Sequence, residues 1–234
     1  MITKLTQQKT DLDFQSGQTI LIDKPKGWTS FKVVHQIRKA VKVKKVGHAG
    51  TLDPMATGLL IICTGKMTKS ISEYQDLPKT YSGIITFGKR SESMDLETEP
   101  IDEKPVKNIN EEKILRIRDK FLGKIMQTPP MYSAVKVNGK RLYKYARNDE
   151  TIERSPREVN IYDFEINKIE LPDVYFKIEC SKGTYIRTIA NDFGEELGCG
   201  GLLSELRRDK IGEFDVDDAL AVDEFVERFS VNRL

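Results

Sequence analysis

The stretch 44-KKVGHAGTLDPMATGLL-60 places one acidic residue, Asp53, in strongly basic surroundings. Residues 24–72 contain ten Lys or Arg residues, and Asp53 is their only acid, so the region has a net charge of +9. Both histidines of the chain, His35 and His48, lie in the same region. Such a charge distribution favours binding of an anion, and a single carboxylate within it indicates a chemical role.

The segment around Asp53 is predicted to be a glycine-rich loop. Three glycines and a proline surround the acid: Gly47, Gly50, Gly58 and Pro54. Glycine lets the main chain approach a ligand closely, and an aspartate on such a loop can be a nucleophile, a general base or a metal ligand. A metal site is the weaker interpretation because only His48 lies near, and phosphoryl transfer is weak because the sequence has no P-loop. For a bare Asp-Pro pair, the alternative is a plain turn.

Composition limits the class of protein. The chain has 234 residues, of which 32% are charged and 38% apolar, as expected for a soluble globular protein. Its three cysteines are scattered without a C-x-x-C spacing, which indicates reduced thiols rather than a disulfide framework or a zinc site. The N-terminus lacks the apolar core of a signal peptide, and the run 59-LLIIC-63 is too short to span a membrane. We therefore predict a cytoplasmic protein.

Strand and helix patterns alternate without strict βαβ order, which predicts an α+β fold. Residues 1–17 are predicted to be a flexible N-terminal arm and residues 18–234 a single catalytic domain. Ser30 is predicted to cap a helix that runs to about Lys42. The segment 92-ESMDLETEPIDEKP-105 is predicted to be a long mobile connection. The helical periodicity predicts that the following residues face the core: Phe31, Val34, Ile37 and Val41 in that first helix, and Ile186, Ile189, Ala190, Phe193 and Leu197 in a later helix that Gly198 ends.

Two further motifs are candidates for a site. In 180-CSKGTYIRT-188, Arg187 lies just inside a helix that otherwise buries apolar groups. Arginine there commonly caps or solvates the helix, but pairing with Asp53 would hold that carboxylate ionised. In 79-KTY-81, Tyr81 stands at the start of a strand, where an aromatic ring usually belongs to the core but can stack on a base at a cleft.

These strings together resemble the TruB family of tRNA pseudouridine synthases. The same is true of 21-LIDKPKGWTS-30, 129-PPMYSAVKVNGKRLYKYAR-147 and 180-CSKGTYIRTIANDFGEELGCGGLLSELRR-208, so the resemblance covers about residues 18–210. It implies a mixed, mainly antiparallel central sheet flanked by helices, with a catalytic cleft. It also implies isomerisation of uridine-55 in the T-loop of tRNA to pseudouridine, by flipping of the base and attack of an aspartate.

The resemblance implies a role for each matching residue. Asp53 is the nucleophile, Tyr81 stacks on the flipped base and takes part in proton transfer, and Arg187 pairs with Asp53. The remaining residues bind substrate: His48 contacts the RNA, Tyr185 lines the pocket, Leu206 closes it, and Lys24 supports the site or contacts a phosphate. The reaction oxidises nothing and loses no group, so neither a cofactor nor a metal is expected. Attack at C6, attack at C1′ and a glycal route all remain open.

The sequence departs from the family pattern in two places. Ser91, Glu92 and Ser93 stand where Thr-Asp-Thr is usual, and the glycine that follows is missing. No C-terminal RNA-binding PUA domain is expected, so the catalytic domain alone would supply RNA affinity. The expected partner is the T-arm stem-loop of tRNA, with no membrane, no obligate protein partner and a monomeric state. The alternatives are a pseudouridine synthase of another RNA and a non-catalytic tRNA-binding or tRNA-folding protein.

Overall fold

The computed structural model describes residues 1–7, 12–137, 139–148 and 150–231. The chain forms two compact units. The first unit comprises Met1–Tyr81 and Leu206–Leu234, and the second comprises Ser82–Glu205. Each unit combines helices with a largely antiparallel sheet, which confirms the α+β prediction.

The elements are named in chain order. The strands are β1 (Thr19–Lys24), β2 (Val46–Ala49), β3 (Thr57–Thr64), β4 (Lys79–Phe87), β5 (Gly123–Gln127), β6 (Lys136–Val137), β7 (Lys140–Arg141), β8 (Arg157–Glu170), β9 (Asp173–Cys180), β10 (Gly201–Ile211), β11 (Phe214–Asp215) and β12 (Leu220–Ala221). The helices are α1 (Ser30–Val41), α2 (Ile71–Asp76), α3 (Glu111–Asp119), α4 (Leu142–Ala146), α5 (Ile186–Leu197) and α6 (Val222–Phe229). Short 3₁₀ turns at Gly65–Ser70 and Val216–Asp218 precede α2 and β12.

The first unit is built on strands β1 and β3. These two strands are antiparallel, β2 pairs antiparallel with β3, and β12 pairs parallel with β1. Alternate side chains of β1 and β3 enter two apolar clusters, so that Leu60 and Ile62 belong to one and Leu59 and Ile61 to the other. Burial on both faces explains why β3 is a nearly continuous apolar run.

The second unit contains the strand order β4-β9-β8-β5, with β8 antiparallel to both β9 and β5. Its core holds a group of phenylalanine rings with centroids 5.3–6.5 Å apart: Phe87, Phe121, Phe164, Phe176 and Phe193. Most of these rings meet edge to face, the arrangement that aromatic quadrupoles favour. Phe193 brings α5 into this core, in agreement with the predicted apolar stripe of that helix.

The sequence predicted both long helices, but not every detail of α1. Its N-cap is Thr29 rather than Ser30, because the Thr29 side chain accepts a hydrogen bond from the Lys32 amide. Val34, Ile37 and Val41 are buried as predicted, whereas Phe31 is 66% exposed. In α5 all five predicted apolar residues are buried, and Gly198 ends the helix with φ of 83°. That left-handed conformation favours glycine.

Residues 1–7 and 12–17 are packed against the first unit, so the prediction of a flexible arm is wrong for them. Ile2 is fully buried; its amide donates to the Thr19 carbonyl at 2.7 Å, and its carbonyl accepts from Leu21 at 3.0 Å. Phe14 lies edge-on to Phe225 with ring centroids 6.2 Å apart. Residues 8–11 of the predicted arm lie outside the described residues. Within the described ranges, no helix is long and apolar enough to cross a membrane.

Candidate active site

Asp53 lies on the loop Gly50–Ala56, which joins β2 to β3. The carboxylate-bearing residue is half-buried, and its carbonyl oxygen accepts from the Ala56 amide at 3.1 Å, which closes a tight turn. The adjacent Leu52 is buried and fixed by the hydroxyl of Ser30, which accepts from the Leu52 amide at 2.9 Å and lies 3.1 Å from its carbonyl. The loop is therefore attached to the first turn of α1, which explains why Ser30 faces inward and is not the cap.

Lys24 holds the other side of this loop. Its side chain is completely buried at the end of β1, and its ammonium donates to the carbonyls of Trp28 (2.7 Å), Pro25 (3.0 Å) and Pro54 (3.5 Å). Burial lowers the pKa of Lys24 to about 8, and the negative charge of Asp53 acts in the opposite direction. Lys24 thus supports the Asp53 loop from within the protein, one of the two roles predicted for it.

His48 stands on β2, just before the loop. Burial lowers the pKa of its imidazole below the ordinary value, so the ring is neutral near pH 7. The Nδ1 atom is buried and has no hydrogen-bond partner among the described residues. The main chain of Gly50 acts on the pKa of His48 in the opposite direction to burial.

The first unit also contains Tyr81 and Leu206. Tyr81 is half-buried at the start of β4, where Lys79, two residues before it, donates to the carbonyls of Gln75 and Leu77 and so closes the end of α2. Leu206 is half-buried on β10, and its carbonyl lies 3.5 Å from the hydroxyl of Thr57, at the end of the Asp53 loop.

In the second unit, Arg187 is a buried and fully engaged side chain. Its guanidinium donates to the carbonyls of Tyr132 (2.9 Å) and Ser93 (3.0 Å), and Nε lies 3.5 Å from a carboxylate oxygen of Asp95. Both members of the Arg187–Asp95 pair are about 95% buried. Asp95 was not among the predicted site residues. The predicted pairing of Arg187 with Asp53 stays a prediction.

Asp95 belongs to the segment that was predicted to be mobile, and that prediction is wrong here. Ser91, Ser93 and Asp95 are buried, and the hydroxyls of both serines donate to the Asp95 carbonyl. The Asp95 carboxylate accepts from the Glu97 amide at 2.9 Å, and the segment is fixed to β10 by a bridge to Leu203. The departure from the family's usual residues therefore leaves a compact turn in which small hydroxyl side chains make the internal bonds.

Tyr185 is the N-cap residue of α5, two positions before Arg187. The side chain of Gln127 fixes it from β5: the Gln127 carbonyl accepts from the Tyr185 amide at 2.7 Å, and its amide donates to the Tyr185 carbonyl at 3.1 Å. Gln127 is 3% exposed and was also missed by the sequence analysis. A polar residue inside a strand next to Pro129–Pro130 was the signal that could have indicated it.

The structure thus brings together two groups of predicted residues. Lys24, His48 and Leu206 surround the strands and loop of Asp53 in the first unit, and Tyr185 and Arg187 share the start of α5 in the second. Across the part of the chain that the structure describes, no group of three His, Cys, Asp or Glu residues is placed to hold a metal ion. In the first unit, a half-buried aspartate lies on a loop that the buried ammonium of Lys24 supports.

A basic α+β protein with this carboxylate loop fits the class of enzymes that modify RNA, and comparison with known proteins defines the family. Residues 38–186 match the model of the TruB family pseudouridylate synthase N-terminal domain, and residues 187–232 match the tRNA pseudouridylate synthase B C-terminal domain. The chain is 47% identical over 225 residues to "tRNA pseudouridine synthase B" of Flavobacterium johnsoniae, covering 93% of this chain and 98% of the relative. It is 49% identical over 217 residues to the protein of that name from Chloroherpeton thalassium, covering 91% and 90%. The chain therefore belongs to the TruB family.

Solved structures agree with this assignment. The archaeal box H/ACA sRNP Nop10–Cbf5 complex contains a chain that matches 92% of this chain with a TM-score of 0.68 and 26% identity. A Cbf5–Nop10–Gar1 complex matches 96% with a TM-score of 0.70 and 28% identity. The chain spans 54% and 61% of the length of these two solved chains.

Proposed function

We propose that this protein isomerises a uridine of tRNA to pseudouridine, with uridine-55 in the T-loop as the target and Asp53 as the nucleophile. The observation that carries the proposal is the Asp53 loop: the one acid of a region with a net charge of +9 stands half-exposed on a loop fixed by Ser30 and Lys24. Membership of the TruB family and high identity to proteins named tRNA pseudouridine synthase B support the same reaction.

The chemistry requires no redox change. The C1′–N1 bond breaks, the uracil turns, a C1′–C5 bond forms, the C5 proton leaves to solvent and N1 gains a proton. Asp53 is the nucleophile that attacks C1′ or C6, or it accepts the C2′ proton on a route through a glycal. A half-buried aspartate on a loop fixed by Ser30 and Lys24 suits this need, because its main chain is already positioned. Arg187 pairs with Asp53 in this proposal and holds it ionised.

The target base leaves its stack to reach Asp53, at a cost of a few kcal/mol. Tyr81 stacks on the flipped base, Tyr185 lines the pocket and Leu206 closes it. His48, on β2 next to the Asp53 loop, contacts the RNA as a neutral ring in this proposal. Two exposed lysines of α1, Lys32 and Lys39, and Lys42 just after it contribute to an RNA-binding surface with His35.

The proposed setting is a cytoplasmic monomer that acts without a protein partner, a cofactor or a metal. The three cysteines are buried free thiols, which agrees with a reducing compartment. In this proposal the basic surface of the catalytic domain supplies the tRNA affinity. A titration of tRNA binding with salt tests that surface, because affinity carried by phosphate contacts falls steeply as salt rises. A flat response would contradict it.

Release of tritium from 5-tritiated uridine in an unmodified tRNA transcript tests the reaction. We expect release equivalent to one uridine per tRNA with the wild type, none with Asp53→Asn, and none from a transcript with cytidine at position 55. Release from the position-55 variant would assign another uridine or another RNA. Tight tRNA binding without release from either transcript would support the non-catalytic tRNA-binding or tRNA-folding alternative.

A further inference from the structure

Arg208 is a buried arginine on β10 that the function above does not use. It is 1% exposed and stands beside Gly58 where β10 pairs in parallel with β3. Its guanidinium donates to three main-chain carbonyls: Leu59 at 2.8 Å, Gly50 at 3.2 Å and Thr51 at 3.5 Å. Gly50 and Thr51 lie before Asp53, and Leu59 lies after it. One side chain therefore joins both arms of the loop that carries the carboxylate.

The main chain of Arg208 explains the glycine at position 58. A Cβ at Gly58 would lie 2.3 Å from the carbonyl oxygen and 2.7 Å from the amide nitrogen of Arg208, and φ at Gly58 is 102°. At Gly50 the φ of 89° favours glycine, and a Cβ there would make only an ordinary contact, 3.5 Å from the guanidinium. From the sequence, both glycines were expected to let a ligand approach. At Gly58, the close neighbour is the main chain of Arg208.

Arg208 also places a positive charge next to the Asp53 loop. Its described hydrogen bonds all end on neutral carbonyl oxygens, whose dipoles stabilise the guanidinium without cancelling its charge. That positive charge contributes, after burial, to the lowered pKa values of Lys24 and His48. Its neighbour Arg207 points elsewhere and binds both carboxylate oxygens of Asp23, at 2.7 and 3.2 Å.

We propose that Arg208 is a positioning residue of the pseudouridine synthase reaction, which holds the main chain on both sides of Asp53 and places a permanent positive charge near the carboxylate. The inference rests on the proposed function of Asp53. A planar guanidinium suits this task because its donors lie on three separate nitrogens and point in fixed directions, whereas the three donors of a lysine ammonium all leave one atom at the end of a flexible chain.

The test compares the single-turnover rate of tritium release with the dissociation constant for tRNA. In Arg208→Met we expect the rate to fall about 100-fold, as displacement of a reacting group by about 1 Å can cause, while the dissociation constant changes less than about 3-fold. Arg208→Lys keeps the positive charge but loses the planar arrangement of donors. For this variant we expect the rate to fall less, by about 10-fold. Arg207→Lys, at the neighbouring position, should change the rate less than about 2-fold.

A control of matched stability separates positioning from general destabilisation. Val216→Ala removes apolar volume from the cluster that holds Leu59 and Ile61 of β3, and it removes none of the hydrogen bonds that Arg208 makes. At a temperature where every variant is folded, we expect Val216→Ala to keep the wild-type rate. An equal loss in Arg208→Met and Val216→Ala would overturn the proposal, as would a folded Arg208→Met with a rate within about 3-fold of wild type.

Arg208→Lys decides the question if Arg208→Met does not fold. A folded Arg208→Lys that reacts at the wild-type rate would overturn the positioning role, and a slower one with unchanged tRNA affinity would support it. Asp53→Asn separates this inference from the function itself. If the wild type releases no tritium, the proposed function fails. If Asp53→Asn is inactive and Arg208→Met is active, only the role of Arg208 fails.

Discussion

The loop Gly50–Ala56 and the segment 91–98 each hold one aspartate in irregular main chain, yet they hold it differently. Asp53 is half-buried, and the contacts that fix its loop come from Ser30, Lys24 and Arg208 to main-chain atoms. Asp95 is 4% exposed, and its own carboxylate is engaged by Arg187 and by the Glu97 amide. The contacts described for the Asp53 loop thus fix main-chain atoms, whereas those described for Asp95 include its carboxylate oxygens.

The largest difference between the two acids should appear in catalysis. Asp53→Asn keeps the shape of the side chain but removes the nucleophile, so we expect the single-turnover rate of tritium release to fall at least about 10³-fold. The tRNA dissociation constant should remain within about 3-fold of wild type, as checked by filter binding. A rate within 10-fold of wild type would mean that Asp53 is not the nucleophile.

The effect of Asp95 should appear in the stability of the protein rather than in catalysis. Asp95→Asn removes a buried negative charge 3.5 Å from the guanidinium of Arg187, so we expect the free energy of unfolding in urea to fall by about 3–5 kcal/mol. Glu103→Gln is the control, because it breaks the exposed Lys89–Glu103 pair, 3.0 Å long, and should cost less than about 1 kcal/mol. Equal losses in the two variants would show that burial of the Arg187–Asp95 pair is not what distinguishes it.

The next effect on stability comes from Gly58, where strands β3 and β10 approach each other closely. Gly58→Ala introduces a methyl group 2.3 Å from the Arg208 carbonyl oxygen, which we expect to lower the free energy of unfolding by about 2–4 kcal/mol. Gly198→Ala is the control, because φ there is also positive, at 83°, but no atom lies within 4 Å of the added Cβ. Its expected cost is about 1 kcal/mol. Similar losses would indicate that φ alone, and not the contact with Arg208, requires Gly58.

A smaller effect should depend on pH. Lys24 has a pKa of about 8 in the folded protein and an ordinary value of 10.5 when unfolded. Between these values the unfolded chain binds more protons, so the wild type should gain about 1–3 kcal/mol relative to Lys24→Met as pH rises from 7.5 to 10. Urea unfolding at both pH values measures this difference. For Lys26→Met, at an exposed neighbour, the difference from wild type should stay constant. A constant difference for Lys24→Met would contradict the effect of burial.

The sequence was most informative where local pattern decides structure. The apolar run of β3, the stripe of α5 and the turn at Asp53 follow from residues close in the chain, and structure confirms them. The sequence was least informative where contacts between distant segments determine the structure. Phe31 is exposed because Ser30 turns toward Leu52, and the acidic segment around Asp95 is ordered because Arg187 lies 92 positions further on. Arg208 and Gln127 went unnoticed because their partners are main-chain groups of other elements, which leave no mark on a single sequence.

The order in which a ribosome makes this chain gives the Arg208 contacts a further meaning. Gly50 emerges early, but the arginine that binds its carbonyl follows 158 residues later. The intervening Ser82–Glu205 unit is complete before Arg208 has been made. Bringing Arg208 to Gly50 has an entropy cost, because the two residues are far apart in the chain. That cost is offset when β10 pairs with β3, β12 pairs with β1 and α6 packs into the apolar cluster that both strands share. A nascent chain therefore carries its Asp53 loop without the Arg208 contacts through most of its synthesis, and they form only when the chain is nearly finished.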